Sequence, residues 1–192
     1  MVILPSLKKI FIHIPKTGGA SLTDALRQVF PDAIADGGEI HGHQYIKHIR
    51  PSFPDWEFFA VIRNPWDMLE SYYRWLAHQK ANHYFMCSEK VRCFVEDLMS
   101  RHPVWRSLME NYIWYPPGVF HTYCDEDTKV FIYSDRVFDE ISEYLGVTLP
   151  SVRINHSDAV RITWSQDLID AVAERASGDI ERFGFTPPKA GD

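Results

Sequence analysis

The sequence predicts an α/β fold, a three-layer α/β/α domain around a mostly parallel central sheet. Three short apolar runs predict it, at Ile10–Ile14, Glu57–Arg63 and Lys129–Tyr133. Runs apolar on both faces read as strands covered on both sides, which is the habit of parallel sheets. Each run is followed by apolar residues at helical spacing, and strands alternating with helices place helices on both faces of the sheet.

After the first run, Leu22, Leu26 and Val29 give a helix its buried stripe, ending near Pro31. After the second, Pro65 suits the first helical position, and Trp66, Leu69, Tyr73 and Leu76 recur at helical spacing, so a helix is expected from there toward His78. In the middle of the chain, residues Cys93 to Met99 and Trp105 to Tyr112 read as short helices. The Pro116-Pro117-Gly118 turn and a strand through Val119 to Tyr123 follow them. A helix from about Asp135 to Leu145 closes on Gly146, and loops are expected from Val147 to Thr163. Leu168, Val172, Ala176 and Ile180 mark one last helical stripe, weakened by Gly178. With 192 residues and 45% hydrophobic content, residues 1–192 are expected to form a single domain with one core.

The segment Pro15-Lys16-Thr17-Gly18-Gly19-Ala20-Ser21 lies between the first strand and the first helix. Glycines there let backbone N–H groups converge on an anion, the helix adds its positive N-terminal end, and Lys16 adds an ammonium. The loop is P-loop-like in physics but not in sequence. A Walker A loop places its lysine after the second glycine, whereas here the lysine precedes both, which argues against an ordinary ATPase or GTPase. A plainer reading leaves Thr17 or Ser21 as a helix cap and Lys16 solvated.

Arg63 stands at the C-terminal edge of the second strand, and Ser71 lies eight residues later on the helix that follows. In open α/β sheets ligands bind beyond the carboxyl ends of the strands, so the Lys16 loop and Arg63 should share one rim. Alone, Arg63 would suit a surface ion pair and Ser71 a bond to its own helix backbone.

Together, the Pro15–Ser21 loop and Arg63-Asn64-Pro65 with Ser71 resemble the two nucleotide-binding elements of the sulfotransferases that use 3′-phosphoadenosine 5′-phosphosulfate (PAPS). The resemblance implies a P-loop-like nucleotide-binding fold in which Lys16, Thr17, Gly18, Gly19, Ala20 and Ser21 hold the 5′ side of PAPS and Arg63 and Ser71 its 3′-phosphate. It covers the first half of the chain well and continues weakly through Tyr133-Ser134-Asp135, Leu149-Pro150, Asn155-His156-Ser157 and Asp179 to Phe185. Ala20 departs from it, because the family commonly carries threonine there.

Between the two elements lies Glu39-Ile40-His41-Gly42-His43-Gln44-Tyr45. In an extended segment His41 and His43 project to the same side, and Gly42 permits close approach of a ligand. Read from the residues alone, the pair suits proton transfer, an ordinary surface loop, or zinc ligation with a third partner. His-Gly-His also resembles the catalytic segment of the uronosyl 2-O-sulfotransferases of glycosaminoglycan synthesis. That resemblance implies His43 as general base supported by His41 and a carbohydrate hydroxyl as acceptor, while by analogy with phosphoryl transfer Lys16 and the loop amides stabilise charge on the departing oxygen. No CxxC or HExxH spacing calls for a metal, and none is expected.

The net charge of −6 argues against nucleic-acid or anionic-membrane partners, which need a broad basic surface. Three cysteines, Cys87, Cys93 and Cys124, lack metal spacing and suit reduced thiols. The segment from Met1 to Ile14 is broken by Pro5, Lys8 and Lys9 and fits a first strand better than a signal peptide or spanning helix. The carbohydrate sulfotransferases of the Golgi, which the sequence resembles, are membrane-anchored, so the contrast with that resemblance implies a cytoplasmic, bacterial protein without an integral membrane segment.

Trp105, Tyr112, Trp114, Tyr115 and Phe120 suit either a sugar-stacking platform or a core, and Arg74, His78 and Lys80 either an anionic acceptor or a solvated helix face. Two other classes fit the same nucleotide-binding architecture, a small-molecule or nucleotide kinase and a catalytically silent binding module. Acceptor identity, regiospecificity and oligomeric state are not encoded in any transferable motif.

Overall fold

The strands assemble in a computed structural model that describes residues 1–35, 45–71, 74, 120–151 and 163–191. Chain contacts divide the protein into two units, Met1–Arg63 with Val119–Asn155, and Asn64–Gly118 with His156–Asp192.

The first unit is an α/β assembly. Among the described residues it contains β1 (Val2–Leu4), β2 (Lys9–Ile12), α1 (Gly19–Val29), β3 (Ile34–Ala35), α2 (Ile46–Ile49) and β4 (Glu57–Ile62). In the second unit α3 covers the helical residues 65–71, and the first unit resumes with α4 (Phe120–Tyr123), β5 (Lys129–Ile132) and α5 (Val137–Leu145). The sheet order is β3-β1-β2-β4-β5.

The sheet is mixed rather than mostly parallel. The pairs β2–β4 and β4–β5 are parallel, in registers such as Ile12↔Ala60 and Ile62↔Ile132. The pairs β1–β2 and β1–β3 are antiparallel. The opening segment therefore makes a hairpin where the sequence suggested one strand. Pro5 starts a 3-10 turn over Pro5–Leu7, Lys8 takes a left-handed φ of 49°, and its N–H donates to Pro5 O at 3.2 Å. Two strands too short to stand out as runs then add to the sheet edge.

One face of the sheet buries Val2, Leu4, Phe11, Phe59, Val61 and Phe131 in a cluster with Leu22, Ala25 and Leu26 of α1 and Val137, Ile141 and Leu145 of α5. The opposite face buries Ile10, Ile12, Phe58, Ala60 and Ile62. There the Arg50 guanidinium lies 4.4 Å over the Phe58 ring and donates to Asp125 at 2.7 Å. The Tyr45 and Tyr123 rings meet at 5.0 Å. Covering both faces is what forces β2 and β4 to be apolar throughout.

Two expectations change. The chain through Phe120 to Tyr123 is a short helix, not a strand, because its buried aromatics stand three residues apart and the Cys124 N–H closes on Phe120 O at 2.7 Å. The third apolar run is covered less than its composition suggests, with Phe131 7% exposed but Ile132 45% and Tyr133 41%. The expected helices over 93–99 and 105–112 lie outside the described residues. Among the described residues no helix is long and apolar enough to cross a membrane.

In the second unit α3 starts as the sequence predicts, with Pro65 at its first position. Asn64 Oδ1 accepts the Trp66 N–H at 3.0 Å, satisfying one of the otherwise orphaned first-turn donors. Asn64 Nδ2 donates to Thr186 O at 2.9 Å, and Trp66 Nε1 to Ile169 O at 3.2 Å. The last stripe forms two helices, α6 (Gln166–Arg175) and α7 (Ser177–Phe183), rather than one. Ala176 departs to φ −97°, ψ 14° and redirects the chain, so Asp179 takes the buried place that an unbroken stripe gives Ile180.

Phe59 is fully buried between the rings of Phe11, Phe131 and Tyr144. Phe59→Ala is expected to lower unfolding free energy by about 3–5 kcal/mol through lost burial and the cavity left behind. A urea titration showing a loss under about 1 kcal/mol at unchanged m-value would contradict this packing.

Candidate active site

The parallel pairing of β2 with β4 decides where the sequence motifs go. Both strands run the same way, so the residues that leave them emerge at one end of the sheet. After β2 the chain passes His13, Ile14 and Pro15 into the Lys16 loop, and after β4 it passes directly to Arg63. Arg63 Nη1 donates to the Lys16 carbonyl at 3.3 Å, so these two sequence-predicted cations, 47 positions apart, are brought together.

The loop takes an uncommon backbone form. Lys16 sits at φ 64° and Gly18 at φ 81°, flanking Thr17. A non-glycine residue in the left-handed region carries strain, tolerated where surrounding structure holds it and concentrated at binding sites. Left-handed residues interspersed in a turn give the concave N–H arrangement that receives anions. Gly18 is the N-cap of α1 and offers no side-chain cap, so the first-turn donors of α1 have no such side-chain acceptor at that position.

Thr17 is buried, and its hydroxyl donates back to the Ile14 carbonyl at 2.8 Å. Its side chain therefore locks the loop onto the end of β2, leaving the amide as the group Thr17 can present outward. Ser21 is buried in the first turn of α1, while Ala20 is exposed.

Lys16 is held well below its ordinary value, at about 8, first by burial and then by repulsion from the Arg63 guanidinium. Two cations brought together in partly desolvated surroundings are stabilised by an anion between or beside them. The donors gathered here have the chemistry that suits a phosphate or sulfate oxyanion.

Two residues outside the predicted set complete this end of the sheet. Tyr133 follows β5 immediately, and its N–H extends the ladder by donating to Ile62 O at 2.7 Å. Its ring lies under the Arg63 guanidinium, 4.5 Å from ring centroid to Cζ. A Cβ added at Gly18 would stand 2.9 Å from Tyr133 Cε2. His13 stacks on Phe11 at 5.9 Å, and its imidazole occupies the space beside Gly19, where an added Cβ would come within 1.9 Å of Cδ2. The available sequence signal was positional: His13 and Tyr133 stand in the last two places of their apolar runs, directly after β2 and β5, as Arg63 stands directly after β4.

Ser71 is half-buried at the end of the described α3, in the second unit. His41 and His43 lie outside the described residues, as do Trp105, Tyr112, Trp114, Tyr115, His78 and Lys80. Phe120 is fully buried and belongs to the core, and Arg74 pairs with Glu70 one helical turn earlier at 2.6 Å. Cys124 is a buried thiol. Among the described residues no group of three His, Cys, Asp or Glu side chains is placed to hold a metal ion.

No family model matches the chain, and no curated protein does. Among solved structures it is similar to a sulfotransferase from Alicyclobacillus acidocaldarius, with 16% identity, 89% of this chain and 75% of that chain covered, and a TM-score of 0.36.

Because Gly19 faces the His13 ring, Gly19→Ala is expected to destabilise the fold by about 1–3 kcal/mol, the usual cost of overpacking. In a His13→Ala background the same change should cost much less; additive effects in that double-mutant cycle would refute the contact. The lowered Lys16 value gives a second expectation. The lysine is cationic below about pH 8 and loses its proton above it in the ligand-free protein, so affinity for pyrophosphate should fall as pH rises through that region. Calorimetry across the range reads the effect, and Lys16→Arg, which stays charged, should flatten the profile.

Proposed function

We propose that this chain is a PAPS-dependent sulfotransferase that moves a sulfuryl group to a hydroxyl, with a carbohydrate as acceptor. The observation that carries the reading is the meeting of Lys16 and Arg63 at the end of the β2–β4 pair, on a glycine loop that opens α1. That arrangement offers two cationic donors and the first turn of a helix to a ligand with more than one anionic group, as the sequence resemblance implies for PAPS.

PAPS would be a substrate, supplying an activated sulfuryl group on a phosphate leaving group. The residues fit it on the chemistry of the donor set, because the loop amides and Lys16 suit the 5′ phosphosulfate and the Arg63 guanidinium suits a phosphate. Ser71, Ala20 and Ser21 join the cofactor-binding set through the sequence resemblance.

In the transfer, the acceptor oxygen forms a bond to sulfur as the bridging S–O bond to phosphate breaks. The hydroxyl proton passes to a base, and 3′-phosphoadenosine 5′-phosphate departs with the bond electrons. By analogy with phosphoryl transfer, positioning and charge stabilisation supply most of the acceleration. Lys16 and the loop amides face the charge that grows on the departing oxygen. His43 is assigned as base and His41 as its support, since a histidine near its ordinary value is largely neutral at working pH.

The order of lysine and glycines in the loop disfavours a kinase, which would also need a magnesium carboxylate. Calorimetry with 3′-phosphoadenosine 5′-phosphate should show tight binding and indifference to ATP with magnesium. The opposite preference would overturn the reading in favour of a kinase, and tight binding without turnover on any hydroxyl acceptor would favour a silent module. Lys16→Ala and Arg63→Ala should each weaken that binding. His43→Ala should bind normally yet lose roughly a hundredfold to ten-thousandfold in turnover with a radiolabelled sulfate donor.

A further inference from the structure

We propose that the Tyr133 ring is a positioning element of the anion site, a shelf that holds the Arg63 guanidinium beside the loop while its edge presses on Gly18. The proposal rests on the anion-binding reading above but concerns a residue to which the sequence assigned no role in the site.

Three contacts converge on this one side chain. The backbone of Tyr133 is fixed by its N–H bond to Ile62 O at 2.7 Å, directly before Arg63 in the chain, so ring and guanidinium share an anchor. The guanidinium lies 4.5 Å over the ring centroid, within cation–π range. On its other side the ring edge fills the space that any Cβ at Gly18 would need, 2.9 Å away, at the left-handed residue that opens α1. Tyr133 thus touches both halves of the site, the loop from β2 and the arginine from β4, and it does so from the third strand of the parallel set.

An arginine has long rotamer freedom, and freezing it costs free energy that would otherwise reduce ligand affinity. A planar ring under the guanidinium removes that freedom before the ligand arrives, and stacking leaves the N–H fork open at its edges for oxyanion contacts. Tyr133 is 41% exposed, so the residue stands at the site's edge rather than in the core. The contribution comes from the ring face, not the hydroxyl.

The test compares Tyr133→Phe, Tyr133→Leu and Tyr133→Ala for affinity toward 3′-phosphoadenosine 5′-phosphate, alongside the titration of Lys16 followed by NMR in the ligand-free protein. Phe should match the native chain. Ala and Leu should each weaken binding by roughly tenfold, the size of one partly desolvated cation–π contact. Leu fills the volume beside Gly18 without offering a π face, so it keeps the test valid if Ala unfolds. In the Leu variant, which keeps the volume beside the loop, the released Arg63 should repel Lys16 less and the Lys16 titration should move upward toward its ordinary range; the Ala variant does not serve this readout, because exposing Lys16 would move its titration the same way. Affinity within about twofold of native for Leu, with an unmoved Lys16 titration, would overturn the proposal. If the native chain fails to bind the nucleotide at all, the proposed function falls, and the Lys16 titration alone then decides whether Tyr133 positions Arg63.

Discussion

The structure depends on the parallel pairing of β2 with β4. In register Ile12↔Ala60 it makes two segments far apart in sequence end side by side. Everything chemical about the first unit follows from those ends. The Arg63 side chain reaches the Lys16 carbonyl, and the two positive charges share partly desolvated surroundings. Such an arrangement is unfavourable while empty of negative charge, and the fold sustains it because Phe11 and Phe59 bind the same two strands into the core on one face and Ile10 and Phe58 on the other.

The loop stores a second strain. Lys16 in the left-handed region and Gly18 at φ 81° are held in place by inward bonds rather than by regular secondary structure. Thr17 ties the turn to Ile14, and the His13 and Tyr133 rings close on Gly19 and Gly18 from either side. The glycines thus do two jobs that a sequence pattern merges into one. Gly18 supplies a backbone conformation that side chains rarely adopt, whereas Gly19 supplies room for a neighbouring ring. Substitution at either harms the loop for a different physical reason.

The proposed sulfuryl transfer would ask little covalent chemistry of the protein and much placement of charge, for which the first unit offers a lysine, an arginine and a helix start. Asn64 shows how closely structural and functional roles can adjoin. It follows Arg63, yet its own side chain is occupied with capping α3 and bonding to Thr186.

The sequence by itself determined the α/β class, the buried strands β2 and β4, the starts of α1 and α3, the Gly146 cap, and the pairing of a glycine loop with a distant arginine. Those signals are local, because an apolar run, a proline at a helix start or a glycine turn states its physics within a few residues. Tertiary structure decided what depends on partners. It folded the opening segment into a hairpin, which made the sheet mixed, because three-residue strands are stabilised by neighbours rather than by their own pattern. It turned Phe120–Tyr123 into a helix, where the spacing of buried rings outweighed β-prone composition, and it bent the last stripe at Ala176, a residue with no local tendency to break a helix. It also brought the Tyr133 ring against Gly18, since contact between residues over a hundred positions apart is written only in the strand order.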